Sequence, residues 1–596
     1  MTFPAPTQSR QKNVFVLCFD GTGNKFSGTD ADSNILKLYR MLDRNDATMY
    51  TFYQPGIGTY ITTHPLQTTS LPGRIHSWCL KAKDSAVGSS FADHVMGGYK
   101  FLMRHYSCED DLYFFGFSRG AYTARFLAEM LDHIGLLSAG NEELIRFAWK
   151  TYAKWASRRN DGSKKAKEDE ANQYAFMRGF RETFSRPVRR IRFLGLFDTV
   201  NSVPRFEAAW MQRNKFPYTA RSSAKIIRHA VSIDERRAKF RQDLIGEAKP
   251  RAADKTAPAI HRYGSDFPDM KEKVQDDGHQ MDESTEIAPS PEPSINISDV
   301  THAGPIRAER TDAQSFRHER YLSIPFQTGP PSSAESLGIP VQTPSTENLP
   351  AGEGCTQAGT KQLRRNWSEA TRSQDIQEVW FAGGHADIGG GWEKANGEKW
   401  MLSHAPLVWM VHEAEKAGLP LDPVKMARLS CIPHKVSNSG ERLEDPETHQ
   451  SFLQALEDSC STGVIHDCLE RGKGLSWANV LLWKMMEYMP FRRMDLQKNG
   501  SWKPIRWPLP MGEPRDIPAD AQIHNSVIKR MQVIPEYRPG NLIVGGGGRG
   551  VRRAPERYGM GGWTPFKWEG DCIRQTFVRQ YLPSHDQSGT SRQLEK

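Results

Sequence analysis

Short runs of apolar side chains recur along the chain and predict the buried strands of a sheet. Four of them cover residues 14 to 19, 112 to 117, 191 to 197 and 378 to 382, and a shorter strand is predicted at residues 51 to 54. Runs of this length that are rich in β-branched and aromatic residues are typical of buried strands. A polar or glycine-containing loop follows each of the four longer runs.

Apolar residues spaced three and four apart predict helices between these strands. They cover residues 87 to 106, 124 to 134, 142 to 155 and 405 to 417, and we expect a further helix in residues 222 to 242. Strands that alternate with helices favour an α/β fold with a mostly parallel sheet and right-handed crossovers.

One predicted strand leads into a helix through Gly-Phe-Ser-Arg-Gly, residues 116 to 120. This context is typical of a nucleophile elbow, in which a sharp turn points a serine out of the carboxyl edge of the sheet. Gly116 and Gly120 leave room where strand and helix pass close together. We predict Ser118 as a nucleophile and the Arg119 amide, at a helix N-terminus, as an oxyanion donor. The alternative is a glycine-rich turn with an idle serine.

Two other strands end in polar residues that acyl transfer could use. Asp198 follows residues 191 to 197, and His385 follows residues 378 to 382. A serine nucleophile needs a neighbouring base, and the base needs an orienting carboxylate. Parallel strands bring the loops after them to one edge of the sheet, and the chain order Ser, Asp, His is the order of α/β-hydrolases. We therefore predict a triad of Ser118, Asp198 and His385.

Several residues compete with these assignments. Asp387, two residues beyond His385, is a competing carboxylate, although a residue so placed more often binds the local glycine-rich backbone. His524 and His466 are rival bases, and a histidine beside loop glycines could simply bond the backbone. Asp198 could instead cap a helix. We keep Asp387 and His524 as candidate supporting residues.

The loop after the first strand, residues 20 to 24, has the sequence Asp-Gly-Thr-Gly-Asn. We predict that the Gly21 or Thr22 amide is the second oxyanion donor, because the loop after an early strand has this role in hydrolases. The alternative is a tight turn with Asn24 as a helix cap. Asp20 is a further supporting candidate.

An oxygen-rich metal site is an alternative use of the same sheet edge. It would combine side chains that follow the predicted strands, namely Asp20, Asp198, His385 and Asp387. No tight ligand motif such as H-E-x-x-H is present. We therefore predict no required metal and no cofactor.

Composition excludes several classes of protein. A content of 38% hydrophobic and 25% charged residues is ordinary for a soluble protein with a core. The net charge of +9 is mild for 596 residues, and it would help peripheral contact with an anionic membrane. Because we find no nucleic-acid-binding motif, we predict no nucleic-acid partner. Scattered cysteines without a C-x-x-C pair favour a reducing, cytoplasmic compartment. We find neither a signal peptide nor an apolar stretch long enough to span a membrane.

Composition also suggests how the chain is divided. Residues 13 to 245 and 376 to 418 are predicted to form one α/β-hydrolase-like domain, a mostly parallel sheet flanked by helices. Residues 246 to 375 are rich in Pro, Ser, Glu, Thr and Gln, which predicts a long disordered insertion. Residues 419 to 580 predict an irregular C-terminal extension or cap. Two polar tails are predicted to be disordered, residues 1 to 12 and 581 to 596.

Four motifs in order resemble a known family. They are FDGTGN at residues 19 to 24, GFSRGAYTAR at 116 to 125, FDTV at 197 to 200 and GHADIGGG at 384 to 391. Together they are similar to the uncharacterised α/β-hydrolase domain family related to type VI secretion phospholipase effectors. The resemblance covers residues 12 to 245 and 376 to 415. It implies a triad of Ser118, Asp198 and His385, and phospholipid acyl esters as the substrates of bacterial members.

The chain departs from that family in its long insertion, which favours a eukaryotic, fungal-type member, and in its C-terminal third, which is unlike the membrane-anchoring part of the bacterial effectors. The leading hypothesis is a serine esterase or lipase acting on acyl esters, including phospholipids. The alternatives are an amidase or thioesterase with the same triad, or a non-catalytic interaction protein that retains the fold. The sequence predicts no oligomeric state.

Overall fold

The computed structural model describes the chain in thirteen ranges. They are residues 12–24, 26–56, 89–156, 164–200, 207–208, 212–213, 222–245, 374–437, 441–488, 493–496, 502–505, 512–545 and 552–580. The predicted insertion and both predicted tails fall outside these ranges, except for residues 12, 374 and 375, and stay predictions.

Within these ranges, nine strands form the central sheet. In chain order they are β1 (Val14–Phe19), β2 (Met49–Gln54), β3 (Asp111–Phe117), β4 (Phe193–Phe197), β5 (Ile226–Ser232), β6 (Asp375–Phe381), β7 (Gln522–His524), β8 (Trp563–Lys567) and β9 (Thr576–Arg579). Their spatial order is β8-β9-β7-β6-β5-β4-β3-β1-β2. Neighbours from β2 to β7 pair in parallel, whereas β9 is antiparallel to β7 and β8. The predicted mostly parallel α/β sheet is confirmed.

Helices flank the sheet. They are α1 (Asn34–Met41), α2 (Ser89–His105), α3 (Arg119–Ile134), α4 (Ile145–Ala156), α5 (Lys164–Phe184), α6 (His385–Gly389), α7 (His404–Lys416), α8 (Pro423–Arg428), α9 (Pro446–Ser461), α10 (Trp477–Glu487), α11 (Asn525–Val533) and α12 (Gly540–Ile543). Short 3₁₀ helices cover Glu142–Leu144 and Glu556–Tyr558. The described residues also form four small two-stranded antiparallel sheets, which pair Leu136–Leu137 with Ser185–Arg186, Glu207–Ala208 with Gln212–Arg213, Lys435–Val436 with Arg442–Leu443, and Arg493–Leu496 with Trp502–Ile505. Within the described ranges, no helix has the length and apolar composition that crossing a bilayer requires.

The alternation of side chains along the strands builds a core on each face of the sheet. One core joins residues of β1 and β3 to helices α2, α3 and α4, and its strand members include Phe15, Leu17, Phe19, Leu112 and Phe114. The opposite core joins the same strands to α1 and α7, and its strand members include Val16, Cys18, Tyr113, Phe115 and Phe117. Because both faces are covered, these strands are continuous apolar runs in the sequence.

The helix predicted in residues 222 to 242 is wrong. Residues Ile226–Ser232 form β5 instead, in parallel register between β4 and β6. Arg228 and His229 interrupt the apolar pattern of this strand, but both are buried and paired. The guanidinium of Arg228 bonds Glu413, and the His229 ring bonds Glu378. Tertiary partners therefore make a central strand out of a segment whose pattern alone does not indicate one.

The C-terminal segment contributes to the sheet as well as extending beyond it. Strands β7, β8 and β9 all come from the predicted extension, residues 419 to 580. They have three to five residues each, which is too short for a period-two pattern to be distinctive. Helices α11 and α12 pack there in a third core with residues of β5 and β6.

The register of the parallel strands brings four loops to one edge. Phe117, the last residue of β3, is paired with Phe197 at the end of β4. Phe197 is paired with Ala230 of β5, and Phe381 at the end of β6 is paired with Ser232. The residues that follow these strands therefore emerge close together, which is where open α/β sheets place ligands.

Candidate active site

Ser118 lies in a sharp turn between β3 and α3. Its φ angle of 59° is uncommon for a residue with a side chain. A Cβ atom on Gly116 would lie 2.4 Å from Ala121 Cα, and one on Gly120 would lie 2.2 Å from the carbonyl oxygen of Phe19. Glycine at both positions thus allows the tight strand-to-helix turn that presents Ser118 at the sheet edge.

His385 joins the loops that follow β3 and β4. Its Nε2 lies 2.7 Å from Ser118 Oγ, and its Nδ1 lies 2.5 Å from Asp198 Oδ2. All three side chains are buried, with exposed fractions of 3%, 5% and 0% for Ser118, His385 and Asp198. With Asp198 ionised, Nδ1 donates to the carboxylate and Nε2 accepts from the serine hydroxyl. The structure thus brings the three predicted triad residues into one hydrogen-bonded chain.

Asp198 is held at the end of β4 by groups from three segments. Its Oδ1 accepts hydrogen bonds from the Ser232 amide at 2.9 Å and from Arg515 Nη1 at 2.6 Å. Its Oδ2 accepts from Arg515 Nη2 at 2.9 Å as well as from His385. Burial acts to raise the pKa of Asp198, but the Arg515 charge and the His385 contact together hold it below its ordinary range.

The imidazole of His385 is enclosed by aromatic rings. Its ring centroid lies 4.9 Å from that of Phe117 and 4.8 Å from that of Phe240. Its backbone amide donates to Glu235 Oε2 at 3.1 Å. Burial lowers the pKa of His385 and outweighs the opposing effect of Asp198. The lowered pKa favours the neutral imidazole, the form that can accept a proton.

Other polar and aromatic residues support this histidine. Glu235 accepts from Arg237 Nε at 2.9 Å and Nη2 at 2.8 Å. Burial acts to raise the pKa of Glu235, but the Arg237 charge lowers it to about 2. The Arg237 guanidinium lies 3.7 Å from the Phe240 ring centroid and 4.7 Å from that of Trp483. If residues 226 to 232 had been predicted as a strand, Glu235 and Arg237 would have been expected at the edge of the site. The prediction of a helix in residues 222 to 242 did not identify them.

The candidate oxyanion donors lie on both sides of the elbow. Arg119 is the first residue of α3 and follows Ser118 directly. A Cβ atom on Gly120 would lie 2.5 Å from the Asp20 carbonyl oxygen, so the loop after β1 abuts the elbow. In that loop the Gly21 amide donates to Asp20 Oδ1 at 2.6 Å. Gly21 is therefore engaged by its neighbour in this conformation.

Asp20 anchors the loop after β1. Besides Gly21, its carboxylate accepts from Asn24 Nδ2 at 2.9 Å, Ser33 Oγ at 2.6 Å and the Tyr53 hydroxyl at 2.8 Å. Asp20 is buried, and burial raises its pKa despite these donors. The four donors tie the loop to the start of α1 and to β2.

Asp387 takes part in a second aspartate–histidine pair. Its Oδ1 lies 2.7 Å from His466 Nδ1, and its Oδ2 accepts from the backbone amides of Gly384 and His466. The His466 ring stacks on Trp392, with centroids 4.4 Å apart. The contacts of Asp387 and His466 are thus with each other and with local groups rather than with Ser118.

His524 lies at the end of β7, where both of its ring nitrogens have partners. Nδ1 is 2.9 Å from Ser526 Oγ, and Nε2 is 2.8 Å from the Ile573 carbonyl oxygen. Its ring stacks on Phe381. The structure does not bring His524 into contact with Ser118.

In the described part of the chain, no three or more His, Cys, Asp or Glu side chains are grouped so that they could hold a metal ion.

The sequence matches the family model described as the T6SS phospholipase effector Tle1-like catalytic domain over residues 13–413. The match spans more than half of the chain and includes Ser118, Asp198 and His385. The chain belongs to this family. Membership confirms the family predicted from the four motifs and suggests a hydrolase of lipid esters.

Known relatives resemble the chain to different extents. The uncharacterized protein YEL023C of Saccharomyces cerevisiae is 28% identical over 587 residues, which cover 90% of this chain and 82% of that protein. The crystal structure of an uncharacterized protein from Pseudomonas aeruginosa has 17% identity and a TM-score of 0.28, covering 75% of this chain and 50% of that one. The Tle1 effector bound to the VgrG spike of the type VI secretion system has 17% identity and a TM-score of 0.20, covering 41% and 49%. The chain spans about half the length of each of these two solved proteins.

Proposed function

We propose that this protein is a serine hydrolase that cleaves acyl esters of lipids through an acyl-enzyme. Ser118 is the nucleophile, His385 the base and Asp198 the acid that orients the imidazole. The supporting observation is the chain of contacts from Ser118 Oγ to His385 Nε2 at 2.7 Å and from His385 Nδ1 to Asp198 at 2.5 Å. The family supplies the substrate class, because its description is that of a phospholipase effector.

The reaction has two halves. Ser118 Oγ attacks the acyl carbonyl carbon while His385 Nε2 takes the hydroxyl proton. As the ester C–O bond breaks, His385 returns that proton to the leaving alcohol. Water then attacks the acyl-serine while His385 takes one of its protons, and as the bond from the acyl carbon to Ser118 Oγ breaks, His385 returns that proton to Oγ, which releases the carboxylic acid and restores Ser118.

The negative oxygen formed in each half needs donors. We propose the amides of Arg119 and Thr22, one at the N-terminus of α3 and one in the loop that abuts the elbow. Gly21, which was predicted as an equal candidate, is the weaker choice because its amide donates to Asp20.

An active-site-directed fluorophosphonate tests the nucleophile. We expect the full-length protein to be labelled on Ser118 and the Ser118→Ala variant to lose labelling while staying folded. Ser526→Ala is a matched control, since Ser526 is also buried and bonded to a histidine, His524. Labelling that survives Ser118→Ala would contradict the assignment, and a folded wild type that resists labelling would favour the non-catalytic alternative.

A substrate panel then tests the bond. It compares short and long acyl esters, phospholipids in vesicles, and matched amides and thioesters. We expect the highest kcat/KM for long acyl esters. A preference for the amide or thioester over the matched ester would replace the lipase with the alternative hydrolase.

We further propose that α10 contacts the membrane surface that presents the substrate. Its side chains Trp477, Leu481 and Met485, with Tyr488 after it, are 51% to 66% exposed and lie three or four residues apart, on one face. On the opposite side, Trp483 packs on Phe240, which packs on His385. Since the cysteine pattern favours a reducing compartment, we expect this contact at a cytoplasmic membrane face.

Sedimentation with vesicles of mixed zwitterionic and anionic lipid tests this contact. The double variant Trp477→Ser/Met485→Ser should bind vesicles at least about tenfold more weakly, because it removes two exposed apolar side chains that would be buried in the bilayer. Hydrolysis of a short water-soluble ester should change little. Phe176→Ser is a control, since Phe176 is 57% exposed on α5. Equal loss of binding in both proteins would argue against α10.

A further inference from the structure

Arg515 is a buried residue of the C-terminal segment that reaches the predicted triad. The side chain is only 1% exposed. Its Nη1 and Nη2 atoms lie 2.6 Å and 2.9 Å from the two carboxylate oxygens of Asp198. A planar guanidinium donating to both oxygens of a carboxylate is a strong, orientation-specific pair.

The remaining contacts of Arg515 fix its own orientation. Nε and Nη2 donate to the Phe240 carbonyl oxygen at 3.1 Å and 2.5 Å, and Nη1 also donates to that of Ser232 at 3.3 Å. The Arg515 carbonyl in turn accepts from Asn541 Nδ2 at 3.0 Å. The guanidinium plane is thus set by β5 and the loop after it, and it sets the plane of the Asp198 carboxylate.

The charges around His385 balance only when Arg515 is counted. Asp198 and Arg515 form one buried pair of opposite charge, and Glu235 and Arg237 form another. These are the charged groups that face His385 from the ends of β4 and β5 and from the C-terminal segment. Without Arg515, an ionised Asp198 beside a neutral His385 would leave a buried negative charge with no cation on the same carboxylate, which is unfavourable.

We propose that Arg515 is a positioning residue of the hydrolase. Its charge keeps the Asp198 carboxylate ionised, and its guanidinium, coplanar with that carboxylate, orients the carboxylate toward His385. The match to the family ends at residue 413, so this part of the site comes from outside the matched domain. The C-terminal segment therefore completes the active site. The inference rests on the proposed roles of Ser118, Asp198 and His385.

The inference predicts the direction of a pH effect. Arg515 stabilises the state in which His385 is neutral and Asp198 is negative. When the cation is removed, His385 should hold its proton to a higher pH, because losing that proton would leave the negative charge uncompensated. The reaction needs neutral His385, so the acidic limb of the pH–rate profile should move to higher pH together with the His385 titration.

The experiment compares full-length wild type with Arg515→Gln and Arg515→Lys. NMR of histidine-labelled protein follows the titration of His385, assigned with His385→Gln, and fluorophosphonate labelling of Ser118 is timed across the same pH range. For Arg515→Gln we expect the His385 midpoint to rise by about one pH unit and the labelling rate at pH 7 to fall about 100-fold. Arg515→Lys keeps the charge but loses the fork, the pair of parallel N–H donors of the guanidinium. Its His385 midpoint should stay near that of wild type, while the labelling rate at pH 7 falls about tenfold.

Arg228→Gln is the matched control. Arg228 is also buried and binds two carboxylates, Glu413 and Asp375, each at 2.5 Å. It lies four residues before the end of β5, about 13 Å from the site edge. We expect Arg228→Gln to lose about as much thermal stability as Arg515→Gln, but to leave the titration midpoint of His385 unchanged.

Each outcome decides one question. An unchanged His385 midpoint and labelling rate in folded Arg515→Gln would overturn the inference. If that variant does not fold, a wild-type rate in Arg515→Lys would contradict the need for the fork. Failure of wild type to label would count against the proposed hydrolase, whereas the NMR midpoint would still test whether Arg515 controls His385.

Discussion

The pairs Asp198–His385 and Asp387–His466 contain the same two side chains in similar surroundings, yet their electrostatics differ. Both pairs are buried. The carboxylate lies 2.5 Å from the ring nitrogen in the first pair and 2.7 Å in the second. The distance between aspartate and histidine alone therefore does not distinguish the pair that reaches Ser118 from the pair that does not.

The first difference is the other partner of the carboxylate. Asp198 is bonded to the Arg515 cation, which helps to hold its pKa below the ordinary range against the effect of burial. Among the described residues, Asp387 is bonded to two backbone amides and to the His466 ring, and burial raises its pKa. Of these two carboxylates, Asp198 is the one that a described guanidinium contacts, and its pKa shifts in the opposite direction from that of Asp387.

The second difference is the other side of the imidazole. His385 Nε2 faces Ser118 Oγ at 2.7 Å. The His466 ring instead lies nearly parallel to Trp392, with an interplanar angle of 11°. One histidine therefore faces the serine hydroxyl, while the other joins the loop after α9 to Asp387 of α6 and to Trp392, which follows α6.

Replacing the two histidines should separate the pairs most clearly. His385→Ala should reduce the chemical step about 10⁶-fold, as far as Ser118→Ala, and the double variant should lose little more, because triad members act as a unit. His466→Ala should change the rate less than about tenfold and cost about 1–3 kcal/mol of stability, because Asp387 loses a buried partner. Ester turnover and urea unfolding of each protein measure both quantities. Loss of turnover in His466→Ala with retention in His385→Ala would exchange the roles.

Replacing the two aspartates gives the next largest difference. Asp198→Asn should lower kcat about 10⁴-fold, because the amide would favour the wrong imidazole tautomer. It should also destabilise the fold by roughly 3 kcal/mol, since Arg515 would be left as an uncompensated buried cation. Asp387→Asn should leave kcat within about tenfold of wild type. Equal kinetic losses in the two variants, measured on protein shown to be folded, would mean that Asp387 also acts on the reacting histidine.

The smallest effect concerns acid stability, and the two aspartates should act in opposite directions. The folded pKa of Asp198 lies below the ordinary value of 3.8, so its stabilisation is present above pH 3.8 and is lost as the pH falls through the folded value. The folded pKa of Asp387 is raised, so its stabilisation is present below pH 3.8 and is lost as the pH rises through the folded value.

Unfolding free energies between pH 2 and 6 would test this contrast. Relative to wild type, Asp198→Asn should lose the decline in stability below pH 3.8, and Asp387→Asn should lose the decline that begins above pH 3.8. Identical pH profiles for the two variants would show that Arg515 does not distinguish the carboxylates.

Sequence patterns located the candidate triad because each of its residues follows an apolar strand. Ser118 and Asp198 come directly after β3 and β4, and His385 comes four residues after β6. Arg515 lies in a proline-containing loop with no periodic pattern, and no local signal connects it to Asp198. The position of Glu235 at the site could have been predicted, because it follows β5. The polar residues Arg228 and His229 in β5, however, favoured the prediction of a helix instead of that strand.

The parallel α/β sheet, its strand-to-helix elbow and the family could be predicted from the sequence, because they follow from local apolar runs and short motifs. Folding selects which of two aspartate–histidine pairs faces Ser118, which carboxylate receives the buried Arg515, and which short C-terminal strands extend the sheet. The first two outcomes depend on contacts between residues 267 and 317 positions apart. Burial and charge compensation at such contacts are properties of the folded chain, and no local pattern encodes them.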